Sequence, residues 1–156
     1  MTDSELMAHA IELAVKNVVS GRGGPFAALV VCAGKIVAQG TNLVAVSNDP
    51  TAHAEMVAIR RACRKLGSFQ LRGCDVFATC EPCPMCMGAI YWARPSRVVF
   101  AATRADAARA GFDDAFIYRQ LRLPHVRRAI PVERLMRAEA QAPFREWRRK
   151  ADRVHY

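Results

Sequence analysis

No apolar run in this chain of 156 residues approaches the ~20 residues that a bilayer span needs. The first residues, MTDSELMAHAIEL, are acidic and amphipathic, not the basic segment and greasy stretch expected of a secretory signal. There is no internal repeat, no low-complexity tract and no composition break that would mark a second domain. Hydrophobic residues make up 52% and charged residues 24%, an ordinary composition for one soluble domain with a sizeable core. The expected location is the cytoplasm, where thiols stay reduced, so the six cysteines are expected as thiols or metal ligands rather than disulfides. Acidic residues are scarce, with 14 Asp and Glu against 23 Lys and Arg for a net charge of +9. The imbalance concentrates in residues 119–153, which hold 11 Lys/Arg and 4 Asp/Glu. Such a stretch could grip phosphates, but Arg on the solvated faces of amphipathic helices is the favoured account.

Periodicity orders the elements. Thr2, Asp3 and Ser4 can cap a helix with Leu6, Ala10, Leu13, Ala14 and Val18 on its apolar face, and SGRGGP (20–25) ends it. FAALVVCA (26–33) and KIVAQG (35–40) read as a hairpin turning at Gly34. AEMVAIRRACRKLG (54–67) has helical spacing at Met56, Ile59, Cys63 and Leu66, with Gly67 as its stop. DVFAT (75–79) is a buried-type strand, MCMGAIYWAR (85–94) a helix apolar nearly all round and expected inside the core, and RVVFAA (97–102) another strand. From 54 onward helix and strand alternate, as in an α/β protein with neighbouring parallel strands. Beyond 103 the chain turns helical and basic.

TCEPCPMC (79–86) carries three cysteines in eight positions. Cys83 and Cys86 stand three apart at a helix start, so their sulfurs face the same way. A helix N-terminus favours thiolate, the form that binds metal. His53, at the start of the preceding helix, adds an imidazole. Two thiolates and one imidazole suit tetrahedral zinc with one corner left for water. A closed site with Cys80 as fourth ligand is the alternative, but it would have no use for Glu55, two residues from His53. An open zinc has one, because it lowers the pKa of its water to roughly 7 and a carboxylate can take that proton and pass it on. Cys80 then packs beside the ligands, and Cys32, Cys63 and Cys74 read as small buried hydrophobes. His-x-Glu followed by Pro-Cys-x-x-Cys after a strand is the pattern of the zinc deaminases.

On these residues the chain resembles the cytidine deaminase superfamily and, within it, the bacterial guanine deaminases. The resemblance runs through GGPFAALVV (23–31), TNLVAVSNDPTAHAE (41–55), CEPCPMCMGAIYWARP (80–95), AGFDDAFIY (110–118) and the tail ending at Tyr156. HAE and PCPMC carry the superfamily, GFDD and the terminal His-Tyr the guanine branch. The resemblance implies a three-layer α/β/α fold with a five-stranded mixed sheet and a helical C-terminal segment. It implies one Zn2+ per chain on His53, Cys83 and Cys86, with Glu55 shuttling protons to and from a zinc-bound hydroxide. Phe26 would stack on the base, Asn42 and Ala54 would bind the purine, and Asp114 would bind guanine and help move protons. It further implies a homodimer that exchanges residues 143–156, bringing Tyr156 over the partner's pocket. The expected reaction is hydrolysis of guanine to xanthine and ammonia. A tRNA adenosine deaminase shares HAE and PCxMC and would use residues 119–153 on RNA, but GFDD and the terminal aromatic have no counterpart there. A zinc domain that only binds is the other alternative, and Glu55 argues against it.

Overall fold

A computed structural model describes residues Met1–Tyr156. The chain divides into two compact units, Met1–Asp114 and Ala115–Tyr156. In the first, helix α1 (Asp3–Val19) leads into strands β1 (Ala27–Cys32) and β2 (Lys35–Thr41), then the short helix α2 (Val44–Ser47) and helix α3 (Ala54–Leu66). Strand β3 (Cys74–Cys80), helix α4 (Pro84–Ala93), strand β4 (Arg97–Ala102) and helix α5 (Arg104–Arg109) follow. The second unit contains α6 (Ala115–Arg122), two 3-10 turns at His125–Arg127 and Glu139–Gln141, and α7 (Ala142–Arg149).

The sheet has four strands in the order β2-β1-β3-β4. It is mixed, because β1 runs antiparallel to both β2 and β3 while β3 and β4 are parallel. The fifth strand expected from the resemblance is absent: after β4 the chain enters α5 and α6 and never returns to the sheet, so β4 is an edge. The β1–β2 hairpin forms where expected, its turn made by Ala33 and Gly34, both at positive φ (48° and 71°). Such a pair matches the right-handed twist of the flanking strands.

Strand alternation builds the three layers. Ala28, Val30 and Val76 face α3 and α4, packing with Ala54, Ala58, Ala62, Ile90 and Ala93. Leu29, Val31 and Phe77 face the other way, onto Leu6 and Ala10 of α1. The start of α1 is closed by a capping box between Thr2 and Glu5 and tied to the sheet by Arg97, which bonds Asp3 through two 2.8 Å contacts and Asp75 through one.

Four expectations need correction. The buried face of α3 is Ala54, Glu55, Val57, Ala58, Ile59 and Ala62, while Leu66 is exposed. Small alanines at 54, 58 and 62 let α3 lie close to the sheet and share the buried face with Val57 and Ile59. Helix α4 is not enclosed, since it buries Cys86, Ile90 and Ala93 but leaves Tyr91 75% and Trp92 61% exposed. On α1, Val18 is exposed and Asn17 takes the buried place near its end. Cys32 and Cys74 are joined as a disulfide, being directly opposite one another in the β1–β3 register. Cys63, Cys80, Cys83 and Cys86 remain thiols. No helix is long and apolar enough to cross a membrane.

Close approach of α3 to β2 depends on Gly40. A Cβ there would lie 2.3 Å from the Ala54 carbonyl oxygen and 2.6 Å from the Ala58 nitrogen, and backbone atoms cannot yield cheaply. Gly40→Ala should therefore destabilise the protein by about 1–3 kcal/mol, as overpacking does, lowering the melting temperature by several degrees. Because the first turn of α3 is what gets pushed, zinc retention should fall with it. An unchanged melting temperature and zinc content would mean that α3 is not held against β2 in this way.

Candidate active site

The site forms where two helices begin beside strand ends. His53 and Cys83 each occupy the N-cap of their helix, with extended backbone (φ −65°, ψ 156° and φ −66°, ψ 168°), and neither side chain makes a capping bond. Ser, Thr, Asp or Asn would ordinarily stand at such positions and bond the free N–H groups. Here the two side chains point at each other instead. Pro84, the first residue of α4, has the φ a helix needs and no N–H to leave unpaired. One turn on, Cys86 is fully buried and brings its sulfur to the same place.

The Sγ atoms of Cys83 and Cys86 each lie 3.6 Å from Nδ1 of His53, and all three donor atoms are within 4.8 Å of one another. A tetrahedral zinc with ordinary bond lengths would set its sulfur and nitrogen ligands about 3.5 Å apart. The donors fit zinc in chemistry and in spacing. Their protonation is tightly linked. Hydrogen bonding from Cys86, with help from His53, holds the Cys83 thiol down to about 4. The same bond to Cys83 pushes the Cys86 thiol up, and contact with Cys83 raises the His53 imidazole. A metal would bind the Cys83 thiolate directly and displace the protons held by Cys86 and His53 to solvent. Cys80 is not part of the cluster. Its sulfur, at the end of β3, contacts the carbonyl of Thr103 at 3.6 Å, and burial pushes its thiol up to about 11.

Glu55 is 8% exposed in the first turn of α3. Burial raises its carboxyl above the usual range, the charge on Cys83 adds to that, and its own backbone N–H opposes it. Such a carboxyl gains and loses a proton closer to neutrality than a free one. Asp114 is raised as well, first by burial and then by the charge on Cys83, so its carboxylate lies in the electrical field of the donor cluster.

Phe26 and Asn42 are neighbours, since Asn42 donates its backbone N–H to the carbonyl of Phe26 at 3.0 Å. Ala54 is buried between His53 and Glu55. The Phe112 ring, two residues before Asp114 in GFDD, stands edge-on to that of Phe26, centroids 4.9 Å apart at 85°. Tyr156 lies in the second unit, 68% exposed, where Trp147 stacks edge-on with His155 at 6.4 Å.

Residues 1–102 match the family model of the cytidine and deoxycytidylate deaminase zinc-binding region. The whole chain is 49% identical to guanine deaminase of Bacillus subtilis, covering 100% of both. The crystal structure of that enzyme superposes with a TM-score of 0.98, over 100% of this chain and 99% of that one. A guanine deaminase structure from Nitrosomonas europaea matches at 34% identity and a TM-score of 0.69, covering 72% of this chain and 65% of that one. A tRNA-specific adenosine deaminase of Haemophilus influenzae is 38% identical over 117 residues, 72% of this chain and 68% of its own.

Cys80→Ser should retain about one zinc per chain by metal analysis, because its sulfur is engaged with Thr103 rather than with the donor cluster. Cys83→Ser or His53→Ala should lose most of it. Loss of zinc from Cys80→Ser to the level of Cys83→Ser would show a closed four-ligand site.

Proposed function

From the premise that the chain belongs to the cytidine and deoxycytidylate deaminase family, we infer a zinc-dependent hydrolase that converts guanine and water to xanthine and ammonia. One observation carries the choice of substrate: likeness to a guanine deaminase extends over the whole chain, including the GFDD segment that holds Asp114. His53, Cys83 and Cys86 would hold the zinc, which would supply an activated water and a Lewis acid. The remaining work falls to the chain's own groups. Glu55, buried and raised, accepts a proton from the attacking water at its carboxylate and delivers it to a ring nitrogen of guanine as C2 is attacked. Glu55 and Asp114 then pass the proton of the new C2 hydroxyl to the amine, so that the C2–N bond breaks, ammonia leaves and the C2 carbonyl of xanthine forms. Phe26 stacks on the purine, Asn42 hydrogen-bonds it, and the Ala54 backbone completes the wall.

The partner is a second copy of this chain, with residues 143–156 exchanged and Tyr156 closing the partner's site. Two features support this. No residue of 115–156 is buried, although α6 and α7 carry Phe116, Ile117, Leu121, Phe144 and Trp147, an apolar load that needs a surface. Independently, the first unit presents an apolar groove of about 420 Å³ lined by Ile11, Val15 and Val18 of α1 and Ala101 of edge strand β4. A tail used in this way accounts for the basic stretch without RNA. The same lid keeps bulk water off the reacting centre.

Purified protein given guanine should release ammonia, and given tRNA should release none. Glu55→Gln should keep its zinc and bind guanine while losing at least ~10²–10⁴-fold in turnover; near-normal turnover would remove Glu55 from the mechanism. Deletion of residues 153–156 should leave zinc bound but cripple turnover. Mixing that truncated chain with full-length Glu55→Gln should restore part of the activity, since the intact Glu55 site borrows its partner's tail. A monomeric wild type, or no complementation between two inactive chains, would refute the exchange.

A further inference from the structure

Asn17 is the one polar side chain buried along α1, 4% exposed near the helix end. Asn is a poor helix former whose side chain competes for nearby backbone groups, and Leu, Val or Ala would pack this position with no polar group to satisfy. Its use is visible in its contacts. Nδ2 of Asn17 donates to the carbonyl of Gly24 at 3.0 Å and to the carbonyl of Asn42 at 2.9 Å. One amide therefore spends both hydrogens joining the loop before β1 to the loop after β2.

Those two loops carry Phe26 and Asn42, the residues assigned above to the base. Gly24 precedes Phe26 by two residues and accepts its N–H at 2.9 Å, and Phe26 in turn accepts from the Asn42 N–H at 3.0 Å. The Asn42 side chain is oriented locally, its Oδ1 accepting from the Val44 N–H at 3.3 Å. Gly23 shows how tight the junction is, since a Cβ there would fall 2.1 Å from the Asn42 carbonyl oxygen and 3.1 Å from Asn17 Nδ2. Gly24 sits against Phe26, Asn42 and Phe112. A Cβ on it would lie 3.5–3.6 Å from the Phe26 ring, the Asn42 carboxamide carbon and the Phe112 ring at once.

We propose that Asn17 is a positioning residue for purine recognition: its buried carboxamide clamps the Gly24 and Asn42 carbonyls and so fixes the spacing between the stacking ring of Phe26 and the hydrogen-bonding amide of Asn42. The proposal rests on the guanine reading of those two residues. Asn17 touches neither the zinc ligands nor Glu55, so it governs how the base is held and not how protons move. An apolar residue at 17 could fill the space but could not bond the two carbonyls.

The test is steady-state kinetics on zinc-loaded enzyme, below the melting temperature of each variant. Asn17→Asp keeps the shape but, ionised, turns two acceptors toward two carbonyls. It should raise KM for guanine roughly tenfold, the cost of losing a buried hydrogen-bonded pair, with kcat within about twofold and zinc at one per chain. Asn17→Ser, with a single donor, should fall between, and serves if the Asp variant does not fold. The decisive arm places each substitution in an Asn42→Ala background. If Asn17 acts through Asn42, most of the KM effect disappears there. A purely structural Asn17 would raise KM by the same factor in both backgrounds, or lower kcat at constant KM, and either result overturns the proposal. Wild-type enzyme inactive on guanine would instead overturn the functional reading beneath it.

Discussion

Three donor atoms within 4.8 Å of one another are the constraint on which the rest of this structure depends. They come from two helices, and each helix gives up a good N-cap to supply them. That loss is made tolerable by Pro84, which removes one N–H from the account, and by the close seat that Gly40 allows for α3. The sheet's role follows from this. Strand β3 delivers the chain to Pro82 and Cys83, its neighbour β1 fixes the height at which it ends, and β2 supplies the flat surface on which α3 rests. Charge follows from it too. Glu55 and Asp114 are both raised, first by burial and in lesser part by the charge on Cys83.

Much of this could be read from residues alone. The ligands were legible because metal chemistry limits which side chains can serve and helix geometry limits their spacing. The hairpin was legible because Ala33 and Gly34 sit between two β-branched runs. The face of α3 was harder. Periodicity marks the positions of large residues, but a helix pressed against a sheet can turn its alanines inward, and Ala54, Ala58 and Ala62 do. Helix α4 is uniformly apolar in sequence, which indicated enclosure, yet Tyr91 and Trp92 are exposed. The missing fifth strand could not be read because it came from analogy and not from any run in residues 103–156. Cys32 and Cys74 gave no local signal, since only strand register places them opposite each other.

Asn17 and Phe112 show a different limit. Each makes its contacts with partners distant in sequence, Asn17 with Gly24 and Asn42, Phe112 with Phe26. A buried Asn one residue from an apolar Val18 looks like a break in an amphipathic pattern until the two carbonyls it joins are seen. Polar residues inside an otherwise apolar helix face are worth examining for that reason. They carry a desolvation cost that only a specific arrangement of partners offsets.

The central claim is that one zinc held by His53, Cys83 and Cys86 makes this chain an enzyme acting on guanine. The most direct measurement strips the protein of metal and follows ammonia release from guanine as zinc is returned in steps. Activity should rise in proportion to zinc and level off at one ion per chain, with no ammonia released from tRNA under the same conditions. Full activity without zinc, a plateau far from one equivalent, or ammonia from tRNA in place of guanine would contradict the account.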